Sequence, residues 1–129
     1  MNNTKTICIA GVSGLVGANL TKKALELGYT IHGTLRDSTD TIKTKHLMAL
    51  PGATERLSLF SADMAEPSAF DEALHGADAV FIACLIPTYA GPTGKPAREM
   101  DDPEGERDIV MPTVDGCLNS LRSAAAAGL

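Results

Sequence analysis

The chain has 129 residues, 44% of them hydrophobic, and a formal net charge of -5, which is enough for one domain with a real core. Its charges are scattered, with no basic stripe, which excludes nucleic acid or an anionic membrane surface as the main partner, since both require basic surface. The longest apolar run, Ala79 to Ile86, is eight residues, far short of the roughly 20 that span a bilayer, so no transmembrane helix is expected.

The first apolar run, Thr6-Ile7-Cys8-Ile9-Ala10, reads as a core strand and passes directly into Gly11-Val12-Ser13-Gly14-Leu15-Val16-Gly17. The spacing is G-x-x-G-x-x-G. One glycine allows the tight turn, one lets the backbone approach phosphates, and one lets the new helix pack on the sheet. That helix starts with unpaired N–H groups and the positive end of its dipole, so phosphate charge is met without a cationic side chain. Gly11, Ser13, Gly14, Leu15, Val16 and Gly17 are therefore expected to seat a dinucleotide pyrophosphate. The competing reading is a plain connecting turn, and the flanking elements weigh against it. Val16, Leu20, Ala24 and Leu27 recur as the apolar stripe of the helix, and Gly28 stands at its C-terminal stop. A second strand, Tyr29 to Leu35, completes a β-α-β unit of about 30 residues.

After Arg36-Asp37-Ser38-Thr39-Asp40, a polar helix runs through Lys43, His46, Leu47 and Leu50 and is stopped by Pro51-Gly52. A third strand, Leu57 to Phe60, leads into Ser61-Ala62-Asp63-Met64. Ser68 is expected to cap the next helix, with Asp71 three residues on and Phe70, Ala73 and Leu74 as its buried face. His75-Gly76 closes it, and Ala79 to Cys84 reads as a fourth, fully buried strand. This alternation specifies an α/β fold, a Rossmann-type doubly wound parallel sheet of strand order 3-2-1-4. Right-handed crossovers then leave the nucleotide crevice between strands one and four, so Ala83, Cys84 and Leu85 should face the cofactor.

From Ile86 to Arg107 the sequence is irregular and rich in proline and glycine, the pattern of a functional flap or a disordered segment. The last element is a helix with Val114, Leu118, Leu121 and Ala125 as its buried stripe and Gly128 as its C-cap. Residues 1–129 thus form one nucleotide-binding domain, truncated after the helix that follows strand four. Cys8, Cys84 and Cys117 show no C-x-x-C and no matching histidine pattern. They read as free thiols of a cytoplasmic protein, with no metal or disulfide role.

These residues resemble a family: the extended short-chain dehydrogenase/reductases of the NAD-dependent epimerase/dehydratase group, in particular the dihydroflavonol-4-reductase and cinnamoyl-CoA-reductase branch. The likeness rests on the glycine loop at 11–17, on Gly28 to Asp37, and on Lys43 through His46-Leu47 to Leu50-Pro51-Gly52-Ala53. It continues through Ala62-Asp63-Met64, Phe70-Asp71-Glu72-Ala73 and Gly76 to Phe81, then Asp102-Pro103-Glu104 with Pro112 to Gly116. In NAD-specific relatives an acid ends strand two; here Leu35 stands there, followed by Arg36, whose guanidinium suits a 2′-phosphate. Lys43 matches a family lysine that assists with that phosphate. The resemblance thus implies NADP(H). Asp37, 20 residues after Gly17, keeps NAD(H) as the alternative. Asp63, with Met64 beside it, resembles the family aspartate that meets the adenine amino group; a helix N-cap before Pro67 is the other reading. Ala10, Ile82 and the long loop from Pro87 to Met100 depart from the family pattern.

Family catalysis uses a serine on the fifth strand and a Tyr-x-x-x-Lys pair whose lysine lowers the tyrosine pKa for proton transfer as hydride moves. Here Tyr29 is followed four residues later by Gly33, and Tyr89 by Thr93. No catalytic residue is assigned. The expectation is the NADP-binding part of a reductase that meets its small-molecule carbonyl substrate in the full-length protein. The alternative is a non-catalytic NADP-binding or regulatory module. A sheet that ends at strand four also leaves an apolar edge, Ala79 to Ile86, that favours self-association.

Overall fold

The computed structural model describes residues 5–129, so residues 1–4 of the expected domain lie outside the described residues. Strands β1 (Thr6–Ala10), β2 (Thr30–Leu35), β3 (Leu57–Ser61) and β4 (Ala79–Ile82) form one parallel sheet of order β3-β2-β1-β4, as the alternating pattern predicts. Register places Ile7 beside Ile31 on one side and beside Ala79 on the other. Side chains alternate between faces along each strand, so β1 feeds two cores. Ile9 packs with Val12, Leu25, Ile31 and Leu47 on one face; Cys8 and Ala10 pack with Met64, Phe70, Leu74 and Ala124 on the other.

Helix α1 (Leu15–Glu26) buries Gly17, Thr21, Ala24 and Leu25, while Val16 and Leu27 face solvent. Its buried face is therefore rotated from the stripe read in the sequence. Thr21 accounts for this: its Oγ1 donates to Gly17 O at 2.8 Å, so the hydroxyl is satisfied inside the helix and the residue buries completely. Helix α2 (Thr41–Met48) is capped by Asp40, whose carboxylate accepts from the N–H groups of Ile42 and Lys43. α2 has ended before Pro51-Gly52, as expected, and a separate helical turn follows it. Gly52, at φ 85°, starts the one-turn helix α3 (Ala53–Arg56), and Arg56 Nη2 donates to Leu25 O at 2.8 Å, tying α3 to the end of α1.

Helix α4 (Asp71–Leu74) buries Phe70, Ala73 and Leu74 as expected, but Ser68 does not cap it. Ser68 lies at φ 61°, and the residue at the cap position is Phe70, with no side-chain hydrogen bond. His32 on β2 ties this helix to the sheet through Nδ1, which donates to Ala73 O at 2.8 Å.

Strand β4 is shorter than the run from Ala79 to Cys84 and is not the fully buried strand expected, but it is the bare apolar edge that a sheet ending at strand four leaves. Phe81 is 47% and Ile82 39% exposed, because among the described residues nothing pairs with or covers its outer side. The irregular segment is also shorter. Asp101 accepts from Glu104 N at 2.9 Å and starts α5 (Asp102–Gly105), which continues through a π-helical stretch, Glu106–Val110, into α6 (Met111–Ala126). The loop before it is tied rather than loose. Ala90 bridges Pro96, Ala97 N donates to Tyr89 O at 2.9 Å, and Lys95 pairs with Glu104 at 2.6 Å.

The stripe expected to be buried on α6 faces outward: Val114, Leu118, Leu121 and Ala125 are exposed, and Gly116, Asn119, Ser120, Ser123 and Ala124 are buried. Close packing selects the small residues. A Cβ on Gly116 would lie 3.0 Å from Met64 Cγ, and Asn119 buries its amide by donating from Nδ2 to Met64 O at 3.0 Å.

Candidate functional site

The turn after β1 is shaped by its glycines, while Ser13, Leu15 and Val16 stay exposed on its outer side. Gly11, at φ 91°, has its N–H and that of Val12 on Thr34 O, at 3.0 and 2.9 Å, so the loop is anchored to the end of β2. A Cβ on Gly11 would sit 2.8 Å from Cys84 Cβ and 2.9 Å from Ala83 O. The absence of a side chain lets the loop touch the end of β4. A Cβ on Gly17 would collide with Gly11 O, so the third glycine is what lets α1 begin so close to the turn.

Gly14 is the N-cap of α1 in extended conformation; it provides no side-chain cap, and no carboxylate stands in the first turn. The first N–H groups of a helix have no partner within it and sit at the positive end of its dipole. This start is therefore suited to an anion.

A cavity of about 150 Å³ opens where the carboxyl ends of the strands converge. Of the residues expected at the site, it gathers Gly11, Ser13, Arg36, Asp63, Met64, Cys84 and Leu85. Gly14, Leu15, Val16 and Gly17 form the adjoining start of α1, and Ala83 backs Gly11. Lys43 does not line the cavity; it is exposed on α2, near enough to Asp37 to act on that carboxylate. Sequence reasoning passed over Thr34, Leu35, Ala62, Ile86 and Pro87, which also line the cavity. Their position at or just past strand ends was the available signal.

The two charged groups after β2 differ in their freedom. Asp37 Oδ1 accepts from both Thr39 Oγ1 and, at 2.9 Å, Thr39 N, and these bonds, with Lys43 nearby, hold its carboxyl below the ordinary 3.8. Arg36 is exposed, borders the cavity, and has no carboxylate partner among the described residues. Asp63 uses Oδ1 to accept from Ala65 N at 2.9 Å, stabilising its own turn rather than a helix. Met64 is held between Asn119 on its backbone and Cys84 Sγ, which lies 4.0 Å from its Sδ. Burial, and secondarily Cys117, pushes the Cys84 thiol up, so it stays protonated at neutral pH.

The NAD dependent epimerase/dehydratase family matches residues 7–113. The chain belongs to that family. Maize dihydroflavonol 4-reductase is 40% identical over 123 residues, which is 95% of this chain and 31% of the relative. Vestitone reductase from alfalfa superposes with a TM-score of 0.63 at 30% identity, covering 92% of this chain and 31% of that one. Gre2 of Candida albicans in complex with NADPH gives a TM-score of 0.69 at 25% identity over 97% of this chain and 34% of that one. The chain thus spans about a third of these reductases.

Proposed function

We propose that residues 1–129 form the NADP(H)-binding unit of a short-chain reductase whose full-length form transfers hydride between NADPH and a carbonyl or alcohol. The observation that carries the choice of cofactor is Arg36: a free guanidinium at the lip of the crevice, next to an Asp37 already bonded to Thr39. A 2′-phosphate needs such a cation, whereas a ribose diol needs a carboxylate; Asp37 gives Oδ1 to Thr39, and its Oδ2 keeps NAD(H) as the alternative. The glycine loop supports a pyrophosphate seat: a Cβ at Gly11 would strike the end of β4 and one at Gly17 the backbone of the turn, so glycine at both is what holds the start of α1 beside the crevice.

In this reading, Gly11, Ser13, Gly14, Leu15, Val16 and Gly17 hold the pyrophosphate, and Arg36 with Lys43 holds the 2′-phosphate. Asp63 and Met64 meet the adenine, and Ala83, Cys84 and Leu85 border the ribose on the nicotinamide side. When bound, NADPH supplies the hydride; this chain's own residues bind and orient. The free thiols Cys8, Cys84 and Cys117 support a reducing compartment, the cytoplasm.

Calorimetric titration of the purified chain with NADPH and NADH, beside Arg36→Ala, tests the assignment. NADPH is expected to bind more tightly than NADH. The variant should weaken NADPH by roughly tenfold to a hundredfold, the range of one charge-assisted hydrogen bond, and leave NADH unchanged. Equal NADPH affinity in both proteins refutes the role given to Arg36.

A further inference from the structure

Arg36 owes its place to the turn that follows β2, and that turn is held from β3. Leu35 and Ser61 are register partners at the ends of the two strands, and Ala62 N donates to Leu35 O at 2.9 Å, so the backbone just before Arg36 is fixed. Just after it, Ser61 Oγ accepts from Ser38 N at 2.9 Å and shares a second bond, 2.8 Å long, with Ser38 Oγ. The far end of the turn is fixed as well, since Asp40 N donates to Asp37 O at 3.2 Å and the Asp40 side chain caps α2. Leu35, Arg36 and Ala62 line the crevice, whereas Ser38 and Ser61 stand behind them and do not.

We infer that Ser61 is a positioning residue for cofactor choice: its hydroxyl clamps the turn at 36–40 to the end of β3, so that the Arg36 guanidinium stands where a 2′-phosphate would lie. The inference rests on the proposed function. Arg36 is exposed and has no carboxylate partner among the described residues, so the backbone on either side is what limits where its guanidinium can reach. A long side chain loses rotamer freedom when it grips a ligand, and a backbone already in place lowers that ordering cost. Ser61 suits the task because a hydroxyl both accepts and donates, so one side chain holds the N–H and the hydroxyl of Ser38 together. Alanine at 61 keeps the backbone bond from Ala62 to Leu35 and releases only the turn beyond it. The effect is therefore selective. Asp63, which follows closely on Ser61, is assigned the adenine that NADPH and NADH share, so a general loosening of the end of β3 would weaken both cofactors. Loss of aim at Arg36 weakens NADPH alone.

Two measurements on the full chain test this. Amide hydrogen exchange reads the clamp without cofactor: Ser38 N–H should exchange at least about threefold faster in Ser61→Ala than in the unaltered chain, and equal rates overturn the inference. Calorimetric titration with NADPH and NADH reads its consequence across Ser61→Ala, Ser61→Thr, Arg36→Ala and the double variant. Ser61→Ala is expected to weaken NADPH by about threefold to tenfold, the range of one neutral hydrogen bond, and to leave NADH and the melting temperature unchanged. Ser61→Thr, which restores the hydroxyl, should restore NADPH. On the Arg36→Ala background Ser61→Ala should add nothing, because Ser61 acts through Arg36. Equal loss of both cofactors would make Ser61 a merely structural residue, and a loss that persists without Arg36 would make it a direct ligand contact; either overturns the inference. NADPH affinity that falls in Arg36→Ala but not in Ser61→Ala overturns the inference and keeps the proposed function. NADPH affinity unmoved by Arg36→Ala overturns both.

Discussion

Cys8 sits in the middle of β1, wholly shielded from solvent. Burial first, and the neighbouring Cys84 second, push its thiol from the ordinary 9.0 up to about 12. Such a thiol is a packing group and not a nucleophile at neutral pH. Its raised value has a consequence for stability, and the sign follows from proton counts. Between the unfolded value near 9.0 and the folded value of about 12, the unfolded chain gives up a proton that the folded chain keeps. Stability therefore falls as pH rises through that window, by about 1.4 kcal/mol per pH unit, and the contribution is flat below it. Urea unfolding between about pH 8 and about pH 10.5 should show the unaltered chain losing about 2 kcal/mol more than Cys8→Ala does. Parallel losses in the two proteins would remove Cys8 as the cause. At this scale the placement of the glycine loop and of Arg36 at the crevice was legible in the sequence, because both follow directly on strand ends. Thr34 and Ala62 were not. They contribute through a backbone carbonyl and a strand-end position, which leave no mark on composition.

The helices show where periodicity misleads. On α6 the apolar residues at helical spacing are the exposed ones, and the buried face is made of Gly116, Asn119, Ser120, Ser123 and Ala124. An apolar stripe marks a face that needs covering, and the sequence does not say by what. Small residues win the inner face because α6 comes close enough for Gly116 to touch Met64 and Ile86. Polar ones are tolerated there only when bonded, and Asn119 is the clearest case. Its Nδ2 reaches Met64 O across 55 residues of sequence and fixes the turn that presents Asp63. Asn119→Ala leaves that carbonyl without a partner in a buried setting, which costs about 1–3 kcal/mol. The expected result is a lower urea midpoint with an unchanged slope, together with weaker NADPH binding. An unchanged midpoint would mean that water replaces the amide without loss.

The strand order of the whole sheet was legible because alternation of elements and handed crossovers leave few topologies open. For β4 the sequence supported two readings, a fully buried strand and a bare apolar edge, because its run of apolar residues reads the same whether a fifth strand is present or not; the exposure of Phe81 and Ile82 fits the second. The same difference separates binding from turnover. The crevice is assembled from β1, β2, β3 and β4 and the turns that follow them, all within this chain. The proton-transfer pair of the family is not in it: Tyr29 is followed at the fourth position by Gly33, and Tyr89 by Thr93. Cofactor at a hundred times its dissociation constant adds about 2.7 kcal/mol to the folded state. For a domain of this size that is a rise in Tm of about 10 °C. The chain alone should show that rise with NADPH and no NADPH oxidation when a carbonyl compound is added, measured by thermal melting and by absorbance of the reduced nicotinamide. Carbonyl-dependent oxidation by the pure chain would place catalysis on residues given no such role here. A melting temperature that NADPH leaves unmoved would mean that the crevice takes its binding form only once β4 has a neighbour.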